Sequence, residues 1–118
     1  MSYISSSGGG GGGGSTGELI LNVTLITFAD NQYVVGLTDS FIGVNSSGGA
    51  IVIQLPDAPV EGRTFIIKDD SGNAATNNIT ITTVSGIDTI DGLTSFTMNT
   101  AFQSTQIMYA GSGAYYIY

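Results

Sequence analysis

The chain has 118 residues, enough for one domain, and only 9% of them are charged against 42% hydrophobic, so few ionised groups are left to keep a monomer's surface in water. Nine acidic residues against Arg63 and Lys68 give a formal charge of −7, the wrong sign for neutralising phosphates or docking on anionic lipid, and neither nucleic acid nor a membrane is an expected partner. Histidine and cysteine are both absent, which removes disulfides, Ser-His-Asp and Cys-His arrangements and zinc sites from the inventory.

The chain begins MSYISSSGGGGGGGSTG, with seven consecutive glycines from Gly8 to Gly14. This stretch has neither the basic residues nor the apolar segment of a signal peptide, and no later run is long enough to span a membrane, so the expectation is a protein made and used without classical secretion. By composition residues 1–17 are a flexible linker. The reading adopted is an extended anchoring arm, because polyglycine can be fixed only by backbone hydrogen bonds and close backbone packing against itself or a host surface, with Tyr3 and Ile4 as plugs.

From Glu18 the texture changes to short β-type runs separated by Gly, Asn, Asp and Ser, and residues 18–118 are expected to form one all-β domain. ELILNVTLITF puts Leu19, Leu21, Val23 and Leu25 on one face of a strand. Its other face, Ile20, Asn22, Thr24, Ile26 and Phe28, is half apolar, which predicts that both faces are covered. Further strands are predicted at Gln32 to Leu37, Ser40 to Asn45, Ala50 to Leu55, Thr64 to Asp69, Asn78 to Val84, Ser95 to Asn99, Gln106 to Ala110 and Ala114 to Tyr118. No helix is predicted; the threonines, serines and Asn99 of Leu93 to Ile107 suit strands better.

Three pieces share one rhythm of strand, Ser/Gly turn, strand: FIGVNSSGGAIVI, FIIKDDSGNAATNNITI and QIMYAGSGAYYIY. All three read as antiparallel β-hairpins whose turn glycines supply positive φ. Pro56 and Pro59 mark the connection between the first and the second. The expected fold is therefore a small sandwich or β-prism-like module of short antiparallel strands, intertwined as a homotrimer that hides the strands' second apolar face.

KDDSGNAATNN holds the densest ionisable cluster, and Asp69, Asp70 and Asn73 could offer oxygens to a divalent cation. The distant glutamate of an EF-hand loop is missing, and Asp, Gly72 and Asn73 are equally the residues of a tight turn, which is the reading adopted. Asp88 and Asp91 of GIDTIDG are three apart and fall on opposite faces of an extended strand, a poor carboxylate pair for glycoside hydrolysis. The glycines of SSGG and GSG have no P-loop lysine and no helix after them, so they are turns. Tyr109, Tyr115, Tyr116 and Tyr118 could stack on sugars or pack in an oligomer interface, with Tyr116 and Tyr118 on one face and Tyr115 and Ile117 on the other. No catalytic residue, metal or cofactor is expected.

Leu55-Pro56, Gly62 to Ile66, Lys68 to Asn73, Asn77 to Ile81, Thr89 to Gly92 and Ala114 to Tyr118 follow one another in an order that resembles a β-rich module of bacteriophage tail fibres and other virion appendages. The resemblance covers about Asp39 to Tyr118. It implies a trimeric structural or receptor-contacting role with no reaction attached, on the virion surface of a phage whose proteins are made in the bacterial cytoplasm. Its partners would be copies of itself, other capsid, tail or baseplate proteins, and a host surface glycan. Such modules usually cap a long shaft, whereas here only a short strand region and the glycine arm precede it, which suits a short tail appendage or a capsid decoration. The alternatives are a free carbohydrate-binding module and, further off, a small glycosidase.

Overall fold

A computed structural model describes residues 19–118. The described residues form ten strands: β1 Val23–Thr27, β2 Tyr33–Val34, β3 Phe41–Asn45, β4 Ile51–Leu55, β5 Thr64–Asp69, β6 Ile79–Thr83, β7 Thr89–Ile90, β8 Phe96–Met98, β9 Ser104–Tyr109 and β10 Ala114–Ile117. The only helical element among the described residues is a 3₁₀ turn at Phe28–Asp30, capped by Thr27 and Asp30.

From β1 to β9, successive strands alternate between two mixed sheets. The first has the order β1-β3-β5-β9-β10-β7 and the second β2-β4-β6-β8. β1, β3 and β5 stack parallel in the first, as β2, β4 and β6 do in the second. The N-terminal half is thus a short coil of rungs, each giving one strand to either sheet. β8 and β9 then close it antiparallel to β6 and β5, and β10 pairs antiparallel with β9 and parallel with β7.

This corrects two of the three expected hairpins and the expectation of antiparallel strands throughout. Only QIMYAGSGAYYIY is a hairpin, β9 on β10. FIGVNSSGGAIVI and FIIKDDSGNAATNNITI are arches that carry the chain from one sheet to the other. Their connections, residues 46–50 and 70–78, are longer than the four residues 110–113 that join β9 to β10. Both strands of an arch then turn their apolar faces toward each other across the core instead of lying side by side.

Alternation decides what is buried. Ile51, Ile53 and Leu55 of β4 face inward and are fully buried, as are Ile79 and Ile81 of β6. In register, Ile51 stacks on Ile79, Ile53 on Ile81, and Ile79 on Met98. Opposite them lie Ile42 and Val44 of β3, Phe65 and Ile67 of β5 and Ile107 of β9. Each such side chain contributes about 1.5 to 3 kcal/mol on leaving water, so this layer supplies most of the driving force for the fold.

Candidate functional site

The inward row Ile26, Val44 and Asp69 runs across β1, β3 and β5, so a carboxylate occupies a position that its neighbours fill with methyl groups. Asp69 is fully buried. Its Oδ1 accepts the N–H groups of Gly72 at 3.1 Å and Ser71 at 3.3 Å, with the Ser71 hydroxyl at 3.4 Å; its Oδ2 accepts those of Ala74 at 3.0 Å and Phe102 at 2.9 Å. Burial pushes the carboxyl up, but the backbone donors, led by Ala74 and Phe102, outweigh it and hold it below the usual range. Gly72 sits at φ +79°, and the Asn73 carbonyl accepts the N–H groups of Thr76 and Asn77.

The other two candidate oxygen donors are not brought to Asp69. Strand alternation turns Asp70 outward, where it is exposed and its carboxylate lies over Gly43. Among the described residues there is no group of three or more acidic side chains placed to hold a metal ion. Asp88 and Asp91 flank β7, a strand not predicted from the sequence. Asp91 is exposed and its carboxylate accepts the Ile117 N–H at 3.1 Å. Asp88 is buried with Oδ1 against Gly113, and its Oδ2 receives no hydrogen bond from the described residues.

A second carboxylate hub was missed in the sequence. Asp39, nearly buried, accepts from the Thr24 hydroxyl at 2.6 Å, the Tyr33 hydroxyl at 2.5 Å and the Gly36 N–H at 2.7 Å. Burial raises its carboxyl, while Thr24, Tyr33, Gly36 and the Arg63 charge together hold it below the ordinary value. Burial first, and then the bond to Asp39, pushes Tyr33 up to about 12. The donors come from β1, β2 and the following loop, so only the folded chain assembles them. One short-range hint exists, the Gly36-x-x-Asp39 spacing of a carboxylate closing its own turn.

Both cations are used internally. Arg63 Nη2 donates to the carbonyls of Gly36 and Asp39, and its guanidinium lies 4.5 Å from the centre of the Phe65 ring. Lys68 donates to the Phe102 carbonyl and sits 5.8 Å from that ring. Phe102 is itself held at φ +61° between Lys68 and Asp69, with its ring over Gly72.

The tyrosines split as strand alternation requires. Tyr109 and Tyr115 pack inward with ring centres 4.9 Å apart; Tyr115 donates to the Pro56 carbonyl at 2.5 Å, and Tyr109 accepts the Gly113 N–H at 3.1 Å. Burial, followed by the Asp88 charge, raises the Tyr115 hydroxyl. Tyr116 and Tyr118 point outward, the latter hydrogen-bonded to Thr64. Tyr3, Ile4, Gly8 and Gly14 lie outside the described residues.

Most of the polar groups that looked chemical are spent on the chain's own backbone. The outward side chains include apolar and aromatic ones, among them Val23 and Leu25 of β1, Met108 of β9, Tyr116 and Tyr118. In comparison with known proteins the chain matches no family model, and no curated protein aligns with it significantly.

Proposed function

We propose that this chain is a non-enzymatic structural protein of a bacteriophage virion, a short trimeric surface appendage of the tail-fibre or capsid-decoration type. Residues 1–17 anchor it, and the all-β body is exposed. The observation that carries the reading is the fate of the Lys68 to Asn73 motif. A segment with the look of a binding loop is closed on itself by Asp69, which suits a part whose task is to be rigid and to present a surface. The remaining pieces of the resemblance also fall on structural positions, with Leu55-Pro56 ending β4 and receiving Tyr115, and Thr89 to Gly92 forming β7 and its turn.

Deleting residues 2 to 17 tests the role. Virions assembled with the truncated protein should lack it while the purified truncated body keeps its β-sheet spectrum and melting temperature. Normal incorporation of the truncated protein would refute the anchoring arm.

The exposure of Tyr116 and Tyr118 supports a second reading, a free lectin that stacks sugars on these rings. A lectin would bind immobilised bacterial glycans equally well with and without residues 2 to 17, and would lose that binding in Tyr116→Ala.

A further inference from the structure

The two sheets present outer faces of different chemistry. On the second sheet, β2-β4-β6-β8, the outward rows read Val34, Gln54, Thr82 and Val52, Thr80, Thr97, a surface richer in hydroxyl and amide groups than in apolar ones. On the first, Val23, Phe41 and Ile66 stand in one row across β1, β3 and β5, Leu25 lies over Gly43 in the next, and Met108 pairs with Tyr116. Leu25 is 68% exposed and Tyr116 52%, a large apolar investment for a chain with so few charges.

Charge says what covers this face. Most of the acids lie elsewhere: Asp30 on the 3₁₀ turn, Asp57 and Glu61 between β4 and β5, Asp88 and Asp91 around β7, Asp39 and Asp69 inside. On the face itself the ionised groups are one of each sign, Lys68 directed at the Phe102 carbonyl and Asp70 with its carboxylate over Gly43, so they leave it without net charge. Two chains of formal charge −7 repel through their net-acidic surfaces and approach with least repulsion where neither carries a net charge. A cationic partner would be drawn to the acidic loops instead.

We infer that the outer face of the first sheet is the surface through which copies of this chain bind one another, three such faces turned toward a common axis. The inference rests on the trimer reading given above and adds which face is buried, leaving the threonine-bearing face of the second sheet on the outside. Chains joined this way keep the free edge of β1 at the margin of the interface.

The test uses the full-length protein and three single substitutions, with the mass of each measured by sedimentation and folding checked by circular dichroism. Val23→Lys and Met108→Lys place an ammonium on the face, and Thr82→Lys places one on the second sheet as the matched control. Burying an unpaired ammonium should raise the dissociation constant of the assembly about a hundredfold or more, so the first two variants should sediment as folded single chains while Thr82→Lys keeps the wild-type mass. Retention of the wild-type mass by both face variants, or its loss only in Thr82→Lys, overturns the assignment of the face but leaves the trimer. A wild-type protein that is itself a single chain removes the reading on which the assignment rests.

Should the lysine variants fail to fold, peroxide oxidation of the unaltered assembly decides. Met98 is fully buried within the chain, whereas Met108 is 37% exposed. Covered by a neighbouring copy, Met108 oxidises at least about tenfold more slowly than free methionine. Faster oxidation of Met108 in an intact trimer overturns the proposal.

Discussion

Four backbone N–H groups and a serine hydroxyl converge on Asp69, so the side chain at this position must be an acceptor on both oxygens. Asp69→Asn turns an amide NH₂ toward donors and is expected to cost about 2 to 4 kcal/mol of unfolding free energy, measured by urea denaturation. Saturation of this carboxylate also predicts that a chelator leaves the melting temperature unchanged; a drop would revive a metal-binding loop. Gly72 shares the turn. At its φ of +79° an added Cβ would lie 2.6 Å from the Phe102 ring, and Gly72→Ala should cost about 1 to 2 kcal/mol. In the Phe102→Ala background the contact disappears and the backbone strain remains, so the cost should fall toward about 1 kcal/mol; an unchanged cost would show that the ring moves aside freely. Asp70→Ala, at an exposed position, should cost little.

The same groups set the dependence on pH. Asp39 and Asp69 titrate below the ordinary carboxylate range when folded, so their contribution is fully present above the unfolded value of about 4 and is lost as pH falls through the lower folded values. Tyr33 is raised to about 12 and Tyr115 moves in the same direction. Their contribution is therefore present below the unfolded value of about 10 and is lost as pH rises through the raised ones. Melting temperature should stay nearly flat from about pH 5 to 9 and fall on both sides, with a shallower acid limb in Asp69→Asn. A curve that kept its level down to pH 2 would contradict the role given to these two carboxylates.

At the scale of elements, β1 is the exposed end of the stacked rungs. Its ladder turns Asn22, Thr24 and Ile26 toward β3, leaving the N–H groups of Val23 and Leu25 at the free edge. Thr27, which would follow them, donates to Asp30 instead at 2.9 Å. Hydrogen exchange should therefore be fast at Val23 and Leu25 and slow at Thr24, Ile26 and throughout the β4–β6 pair. Protection of Val23 and Leu25 would show a further strand adding to this edge. The strands themselves were legible: Ile51, Ile53 and Leu55 alternate with Val52 and Gln54, and that pattern alone orients β4. What the pattern could not distinguish is an arch from a hairpin, because Ser-Ser-Gly-Gly supplies the same backbone freedom to both, and pairing across sheets depends on contacts far along the chain. β7 was hidden because Thr89 and Ile90 are two residues inside an acidic cluster. The Asp69 turn could be read locally, while the Asp39 hub needs Thr24, Tyr33 and Arg63 from separate segments.

For the whole molecule, the sequence argument that both faces of Leu19 to Phe28 need covering meets a structure in which one face is partly answered. Ile26 is buried inside and Thr24 is bonded to Asp39, whereas Leu19, Val23 and Leu25 remain exposed on the other face. In the proposed trimer, a chain of such low charge density would bury that apolar face against its own copies. Three copies on one axis would also carry three anchoring segments, so each could bind weakly while the assembly holds firmly through effective concentration. The most direct test is the mass of the full-length protein by sedimentation equilibrium at low concentration. The account predicts three times the 12.1 kDa chain; a folded, soluble species of one chain mass would contradict it.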